Sequence, residues 1–382
     1  MDRLIFTGAR IFDGMRFHDG AALVVEGGRI VRVLPEAEAP AGPRITLPGG
    51  TLAPGLIDLQ VNGGGGVMLD GSATVETIAT ICDAHARLGS TGLLPTLITG
   101  TAAATRSVLA AGIAAAARVP GFLGLHLEGP HLDPKRPGCH PPQCIRPLTQ
   151  DDIDILTEAK TGLPALVVTL APASATPDQI AQLAEAGILV SLGHAEASFA
   201  EAQAAHAAGA RMVTHLFNAM SQLGSREPGL VGAALSLPFA AGLIADGIHV
   251  CPETLSLALR LAGDRLFLVT DAMAVAGTEA QEFTLAGRRI LRREGALRLE
   301  NGTLAGADLT LPEAIRLCIT RLGLAPEAAL TMATARPAGL IGAPAGRIAP
   351  GLAADLVHLT ADWRLAGTWR GGVAVQAKSS TE

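Results

Sequence analysis

The feature that most constrains the fold is a repeated alternation of short apolar segments with helical segments through the middle of the chain. Capping patterns mark several helix starts, among them Ser198-x-x-Glu201 and Thr310-x-x-Glu313, and Thr176 precedes a proline at a first helical position. The apolar segments predict eight strands, at residues 52–61, 92–98, 122–127, 165–170, 188–192, 212–215, 241–244 and 266–270. Eight successive β and α units predict an α/β protein built on a (β/α)8, TIM-like barrel.

The two ends of the chain instead have the pattern of short strands joined by tight turns. Turn pairs such as Asp13-Gly14 and Gly27-Gly28 separate the apolar runs near the N-terminus, and the C-terminal segment has the same character. We predict that residues 1–52 and 345–382 together form a small β-sandwich domain and that residues 53–344 form the barrel. A hairpin-like insertion is expected at residues 283–302, between the eighth strand and its helix.

Composition and charge exclude several classes of binding partner for this protein. The chain has 29 Lys and Arg residues against 35 Asp and Glu residues, a formal charge of −6 with no basic stripe, which argues against nucleic-acid binding. The five cysteines are never spaced C-x-x-C, which fits a reducing compartment better than a disulfide framework. The apolar stretch 107–119 is too short to span a bilayer, and residues 1–6 lack the apolar core of a signal peptide. We therefore expect a cytoplasmic protein whose partners are small molecules or other subunits.

Polar residues follow the predicted strands at the end where barrel enzymes carry their catalytic groups. Glu128, His194 and His215 follow three different strands, and one carboxylate with two imidazoles suits Zn2+ or a similar divalent ion with a position open for water. Each histidine alone could be a satisfied core residue, but the three together favour a single metal site. Other polar residues in comparable positions are Asp58, Gln60, Asn62, His131, His140, Asn218, Asp246, His249 and Asp271.

Asp271 comes after the eighth strand and is expected to face the same mouth of the barrel as the three candidate ligands. That position suits a general base that deprotonates metal-bound water, and a helix cap or an ion pair is the alternative. Residues 63–66 are four glycines with no phosphate-binding motif around them, so we expect a flexible loop there.

Arg226 is a candidate anion ligand because a guanidinium matches phosphate in a two-pronged geometry. The alternative is a surface arginine paired with Glu227, and spacing alone does not separate the two interpretations. Cys139 lies beside His140, but adjacent residues on an extended loop point in different directions, so a Cys-His nucleophile is not expected.

Several motifs are spread along almost the whole chain. They include Asn218-Ala219-Met220, Arg226-Glu227-Pro228-Gly229 and Ala245-Asp246-Gly247-Ile248-His249, and the others lie at residues 53–58, 126–130, 192–194, 269–272 and 346–356. Together they resemble the N-acetylglucosamine-6-phosphate deacetylases of the metal-dependent amidohydrolase superfamily. The motifs at 53–58 and 346–356 are shared across amidohydrolases, and the three written out above are the more specific ones. The resemblance implies hydrolysis of N-acetyl-D-glucosamine 6-phosphate to D-glucosamine 6-phosphate and acetate, in amino-sugar catabolism and recycling.

The same resemblance implies roles for individual residues. Glu128, His194 and His215 would bind the metal, Asp271 would be the acid and base, and His140 would polarise the acetyl carbonyl. Arg226 and His249 would hold the 6-phosphate, and the phosphate could belong to a neighbouring subunit of a homodimer. The remaining expected substrate contacts are Gln60, Cys139, Asn218, Ala219, Leu304, Ala305 and Gly306.

One departure from the wider superfamily has a physical consequence. Many members have His-x-His after the first strand, where this chain has Gln60-Val61-Asn62. Neutral amides are poor ligands for a second zinc, so we expect one divalent metal ion per subunit, with Zn2+ the first choice. His131 is expected to be a loop histidine that faces solvent, with an extra metal ligand as the alternative.

Two other functions compete with deacetylation. A different amidohydrolase reaction on a non-phosphorylated substrate would not need both Arg226 and His249. A catalytically silent barrel used for binding or assembly would be expected to lack metal ligands or the base, whereas all four positions are filled here.

Overall fold

The computed structural model describes residues 3–376, and its centre is an eight-stranded parallel sheet. Neighbouring strands in this sheet follow one another in the chain, as the barrel prediction requires. The predicted barrel is confirmed. Its strands are Leu56–Val61, Ser90–Ile98, Leu125–Glu128, Leu166–Leu170, Leu189–Leu192, Met212–Val213, Ala240–Leu243 and Leu266–Leu268.

The predicted first strand, at 52–61, is divided at Gly55. Thr51–Pro54 pairs with strands from the chain ends, whereas Leu56–Val61 pairs with the second barrel strand. A Cβ on Gly55 would lie 1.9 Å from Oγ1 of Thr91, so glycine is required where the chain passes this close to its neighbour. The continuous apolar run hides this change of sheet, because periodicity does not show which sheet a strand joins.

The barrel closes between its eighth and first strands at a place that we call the seam, residues 58–62 and 270–272. The amide of Asp271 donates to the carbonyl of Gln60 at 3.0 Å, and the amide of Asn62 donates to the carbonyl of Ala272 at 2.8 Å. Val61 and Ala272 form a single parallel bridge. Within residues 3–376 no regular strand ladder joins the eighth strand to the first, so the seam depends on these individual contacts.

A helix follows each barrel strand, and two short helices complete the barrel. Ser198 and Thr310 each cap a helix with the predicted reciprocal capping box. Thr176 is the predicted cap before a proline, and it also forms a capping box that was not predicted. The helices are Val75–Arg87, Ala102–Ala115, Gln150–Lys160, Pro177–Glu185, Phe199–Ala207, Gly229–Ser236, Pro252–Ala262, Leu311–Thr320, Pro326–Met332 and Ala335–Ile341.

The chain ends form the expected small sandwich of two sheets. Its core takes side chains from both ends, and the rings of Phe6 and Trp369 meet edge to face with their centroids 5.3 Å apart. One sheet contains Leu4–Thr7, Ala21–Glu26, Arg29–Pro35 and Arg44–Thr46. The other contains Arg10–Phe12, Phe17–His18, Thr51–Pro54, Leu356–Leu359, Leu365–Arg370 and Val373–Ala374.

The limits of the two domains stay a prediction. Residues 1–2 and 377–382 of the predicted sandwich domain lie outside the described residues. Among the residues that the structure describes, no helix is long and apolar enough to cross a membrane.

Two segments near the mouth of the barrel differ from their expected form. The insertion is an antiparallel sheet of four strands, Glu282–Leu285, Arg288–Arg293, Ala296–Leu299 and Leu304–Ala307. The predicted hairpin-like insertion is confirmed, and its last strand lies beyond the predicted end at residue 302. The glycines expected to form a flexible loop instead begin a hairpin in which Gly63–Gly64 pairs with Val67–Met68. A Cβ on Gly63 would lie 2.4 Å from the Val67 carbonyl oxygen, so this glycine allows close backbone approach.

Candidate active site

Three buried side chains converge at the carboxyl ends of the barrel strands. Oε1 of Glu128 lies 2.9 Å from Nε2 of His215 and 3.2 Å from Nε2 of His194. All three candidate ligand atoms lie within 4.8 Å of one another. The structure therefore brings together the residues that the sequence predicts as metal ligands, and their arrangement could hold a metal ion.

The donor set passes a further test of fit to a divalent cation. Nδ1 of His194 lies 2.9 Å from the carbonyl of Arg136, which can only accept a hydrogen bond. His194 therefore carries its proton on Nδ1 and presents an unprotonated Nε2 to Glu128 and His215, as a ligand must. One carboxylate oxygen and two imidazole nitrogens match the preferences of Zn2+.

The backbone turns sharply at these positions. His194, His215 and Asp271 have φ values of 46°, 29° and 54°, in the left-handed region that non-glycine residues seldom adopt. Each residue follows the end of its strand closely, and the turn brings its side chain into the mouth. Such conformations cost about 1–3 kcal/mol each and persist where surrounding contacts enforce them, often at functional sites.

Asp271 faces the candidate metal ligands and is held by two amides. Its Oδ1 accepts hydrogen bonds from Nδ2 of Asn62 at 2.7 Å and Nε2 of Gln60 at 3.2 Å. Burial raises the pKa of Asp271 to about 6, the negative charge of Glu128 adds to the rise, and His215 and Asn62 oppose it. Among the described residues no hydrogen bond reaches Oδ2, so that oxygen is available to a proton.

His140 lies beside the same carboxylate with a defined proton position. The backbone amide of Thr99 donates to its Nδ1 at 3.3 Å, so the proton of the neutral ring is on Nε2. Nε2 lies 3.8 Å from Oε2 of Glu128. Burial and, after it, the neighbouring His194 together lower the pKa of His140 to about 3. A neutral His140 can therefore donate a hydrogen bond from Nε2 into the site.

These groups open into a cavity of about 360 Å3 at the barrel mouth. Most of the residues predicted to contact substrate line it, namely Cys139, His140, Asn218, Ala219, His249, Leu304 and Gly306. Cys139 is buried, and burial raises the pKa of its thiol to about 12, so the thiol is inert at neutral pH.

Three predicted substrate contacts do not line the cavity, and two of them, Gln60 and Ala305, are fully buried. Gln60 is fully buried, and its side-chain amide donates to both Glu128 and Asp271 at 3.2 Å, so it supports the two carboxylates from below. Ala305 is also fully buried and packs in the apolar cluster under the insertion with Leu297. Strand alternation explains the second result, because Leu304 and Gly306 point to the opposite face from Ala305.

The positions of Arg226 and His131 in the structure differ from those that the sequence predicts. Arg226 is exposed and does not line the cavity. The carboxylate of Glu227 accepts hydrogen bonds from the amides of Phe199 and Gly229, so the proposed pairing of Arg226 with Glu227 is wrong. His131 is only 3% exposed and bonds the carbonyl of Arg146 at 3.2 Å, so it neither faces solvent nor joins the metal ligands.

The sequence interpretation missed other residues that line the cavity. Lys135 and Arg136 lie in the loop between Glu128 and His140, and Thr303 lies next to the predicted Leu304. Their position inside segments already assigned to the site is the one signal that could have identified them.

Comparison with known proteins agrees with this geometry. The profile of the amidohydrolase family matches residues 51–375. An N-acetylgalactosamine-6-phosphate deacetylase of Shewanella sp. (strain ANA-3) is 40% identical over 97% of this chain and 95% of its own length. An N-acetylglucosamine-6-phosphate deacetylase of Haemophilus influenzae is 35% identical over 91% of this chain and 92% of its own.

A solved structure extends the likeness to the fold. The crystal structure of N-acetylglucosamine-6-phosphate deacetylase from Pasteurella multocida has a TM-score of 0.94 at 34% identity, covering 98% of this chain and 100% of that one. The chain therefore belongs to the amidohydrolase family, in the group that contains the N-acetylglucosamine- and N-acetylgalactosamine-6-phosphate deacetylases.

Proposed function

We propose that the protein hydrolyses the acetamide of N-acetyl-D-glucosamine 6-phosphate, releasing acetate and D-glucosamine 6-phosphate. The observation that carries the proposal is that one cavity combines the Glu128, His194 and His215 group with Asp271 and His140. The relatives supply the substrate class, because those that match almost the whole chain are deacetylases of N-acetylhexosamine 6-phosphates.

A single divalent metal ion, most simply Zn2+, is the proposed cofactor, and Glu128, His194 and His215 would hold it. When bound, the cation would supply Lewis acidity to the amide carbonyl and to the attacking water. Gln60 and Asn62 use their side-chain NH2 groups on carboxylates of the site, which supports one metal per subunit in place of a bridged pair.

Asp271 carries the proton in the proposed reaction. Its Oδ2 accepts the proton of the attacking water, while Asn62 and Gln60 hold Oδ1 in place. The same carboxyl group then delivers that proton to the departing amine, because an amine leaves poorly unless it is protonated. Asp271 is thus base and acid in turn.

His140 acts on the acetyl group in this proposal. Its Nε2 proton would be donated to the carbonyl oxygen of the acetamide, where negative charge develops. The Thr99 amide keeps the imidazole in the required tautomer. Asn218 and Ala219, which also line the cavity, would contact the sugar.

The 6-phosphate would be held by His249 and by Arg226 of a second subunit in a homodimer. His249 lines the cavity and pairs with Asp246, with 2.6 Å between Nδ1 and Oδ2. Arg226 lies in an exposed loop of its own chain and has no ion pair among the described residues. In a dimer it could therefore reach a neighbouring cavity.

Exposed apolar side chains near Arg226 and His249 support the proposed dimer. Leu223, in the loop of Arg226, is 55% exposed, and Ile248, beside His249, is 38% exposed. Leu257 and Leu261 lie one turn apart on the helix that follows and are 45% and 54% exposed. Apolar side chains that lie next to one another in water, as Leu257 and Leu261 do, are typical of surfaces that bind another protein.

The cytoplasm is the proposed location. All five cysteines are free, and Cys82, Cys139 and Cys318 are buried with thiol pKa values raised by burial to about 12. A chain with no disulfides suits a reducing compartment.

The proposal is tested by measuring acetate release from N-acetylglucosamine 6-phosphate, its galacto epimer and the two unphosphorylated sugars, with and without a chelator. We expect chelator-sensitive release, fastest with N-acetylglucosamine 6-phosphate. Preference for the galacto epimer would move the proposal to the substrate of the Shewanella relative. Faster turnover of the unphosphorylated sugars would instead support a different amidohydrolase reaction.

A further inference from the structure

Asp58 is a fully buried carboxylate that the proposed reaction leaves without a role. It lies in the first barrel strand, at the seam, and its neighbour across the seam is Thr270. The Thr270 hydroxyl donates to Oδ2 at 2.6 Å, and the Thr270 amide donates to the same oxygen at 3.2 Å. The amide of Gln60 donates to Oδ1, also at 3.2 Å.

These contacts replace the missing ladder between the eighth and first strands. A backbone amide in a parallel sheet normally donates to a carbonyl of the adjacent strand. At Thr270 the Asp58 side chain takes that place, so one carboxylate joins the two strands at a point without regular pairing. The Thr270 hydroxyl also accepts the amide of Ala272 at 3.2 Å, which extends the connection past Asp271.

The residues next to Asp271 are linked to Asp58 by hydrogen bonds. Thr270 precedes it, Ala272 follows it, and its own amide donates to Gln60, whose amide Asp58 accepts. The left-handed φ of 54° at Asp271 is unfavourable for a residue with a Cβ and persists only if its neighbours enforce it. Asp58 bonds Thr270 directly and is linked to Ala272 through the Thr270 hydroxyl, and these contacts account for that enforcement.

We propose that Asp58 is a positioning residue that holds Asp271 in the geometry required for proton transfer. It acts through Thr270 and Gln60 and does not touch substrate or metal ligands. Burial raises the pKa of Asp58 to about 7, against the hydrogen bonds from Thr270 and Gln60. Because burial makes ionisation of this carboxyl group costly, its hydrogen bonds to Thr270 and Gln60 are needed to offset that cost. The inference rests on the proposed function, because it takes Asp271 as the proton carrier.

The test is a pair of double-mutant cycles on kcat, with Asp58→Asn and Thr270→Val each made in the wild type and in Asp271→Asn. In Asp58→Asn the new NH2 group faces donors and breaks at least one seam contact, whereas Thr270→Val keeps the shape and removes one hydroxyl. In the wild type we expect kcat to fall by about 10-fold to 100-fold for Asp58→Asn, the scale for a misplaced catalytic group, and by less for Thr270→Val. KM and metal content should stay near wild-type values.

The cycles separate positioning from general support of the fold. If Asp58 acts through Asp271, neither substitution should lower the residual rate of Asp271→Asn further. The control is Thr334→Val, which removes another fully buried threonine hydroxyl, bonded to the Leu330 carbonyl far along the chain. It should leave kcat unchanged. A wild-type kcat in Asp58→Asn, or equal losses with and without Asp271, would overturn the proposal.

A crystal structure tests the positioning role of Asp58 independently, because it needs no substrate. A crystal structure of Asp58→Asn should show the Asp271 carboxylate displaced from Asn62, whose Nδ2 lies 2.7 Å from Oδ1 in the wild type. If Asp58→Asn does not fold, the same comparison is made with Thr270→Val. An unchanged Asp271 would refute the positioning role. If the wild type deacetylates none of the phosphorylated sugars, the proposed function fails and this comparison still decides the inference.

Discussion

Two layers of polar residues inside the barrel differ in how completely their hydrogen bonds are satisfied. In the lower layer, which we define as His126, Thr169, Ser191 and Thr214, every side chain has a partner. His126 lies 3.0 Å from the Leu59 carbonyl and 2.7 Å from the Thr169 hydroxyl. The Thr214 hydroxyl lies 2.6 Å from both Thr169 and Ser191.

The mouth above this layer is less complete. Among the described residues, Oε1 of Gln60, Oδ1 of Asn62 and Nδ1 of His215 are buried atoms without a hydrogen-bond partner. A buried polar atom left unsatisfied costs about 1–3 kcal/mol. The lower layer therefore has the character of a structural network, whereas the mouth keeps buried polar groups without a hydrogen-bond partner. Substitutions should accordingly affect stability in the lower layer and activity in the mouth.

The largest effect is expected from removal of the metal. Dialysis against a chelator should abolish acetate release, and elemental analysis of the active protein should find one divalent metal ion per chain, because Gln60 and Asn62 are poor zinc ligands. Return of activity when Zn2+ is added back is the control. Two metal ions per chain in fully active protein would contradict the single-metal proposal.

The next effect is expected at Asp271. Asp271→Asn keeps the shape of the side chain and removes its capacity to accept a proton, so kcat should fall by at least ~10²-fold. The thermal midpoint and metal content should change little, since Glu128, His194 and His215 are intact. A metal-loaded variant that turns over near the wild-type rate would exclude Asp271 as the base.

Arg226 tests whether the mouth is completed by a second chain. Loss of a charge-assisted phosphate contact worth about 1.5–3 kcal/mol should lower kcat/KM of Arg226→Ala for the phosphorylated sugar by roughly 10-fold to 150-fold. Activity on the unphosphorylated sugar should not change. Equal losses on both substrates would show that Arg226 does not bind phosphate.

Mixing variants shows which subunit supplies Arg226. If the arginine acts across a dimer, a heterodimer of Arg226→Ala and Asp271→Asn has one complete site. Subunit exchange in an equal mixture should then restore about a quarter of the wild-type activity. No recovery after exchange, in a mixture shown to contain heterodimers, would place Arg226 in its own chain's site.

In the lower layer we expect the opposite division between stability and activity. Thr169→Val removes the hydroxyl that donates to Nε2 of His126 and leaves a buried nitrogen unpaired, which should cost about 1–3 kcal/mol in the free energy of unfolding. Ser191→Ala removes only the end of the network and should cost less. Denaturant unfolding measures both. A Thr169→Val protein with native stability and reduced kcat would contradict the assignment of the lower layer to stability and the mouth to activity.

The smallest effect concerns the pH dependence of stability. Burial lowers the pKa of His126 from 6.5 to about 4. Between these values the unfolded chain binds a proton that the native protein does not, so this stabilisation is complete above pH 6.5 and is lost as the pH falls towards 4. His126→Asn should therefore reduce the difference in unfolding free energy between pH 7 and pH 5. His85, whose pKa burial also lowers to about 4, keeps part of the slope in that variant.

Much of this organisation could be predicted from residue patterns. The alternation of strands and helices identified the barrel, and strand-end polarity identified Glu128, His194, His215 and Asp271. Gln60, predicted as a substrate contact, lies buried beside two carboxylates and does not line the cavity. Sequence shows that a residue follows a strand but not whether its side chain points into the cavity or towards other strands. The prediction that His131 faces solvent was wrong for a similar reason, because its side chain is buried and bonds the Arg146 carbonyl.

The sequence by itself therefore determined the barrel, the two-ended sandwich and the chemical types of the groups at the mouth. Periodicity and turn residues depend on neighbours along the chain, and those are visible in one dimension. Only the tertiary structure decided that Asp58 crosses the seam to Thr270, that four non-glycine site residues adopt left-handed backbone, and that Thr99 sets the tautomer of His140. These features depend on contacts between strands whose relative height and register are fixed by closure of the whole barrel, and no local pattern contains that information.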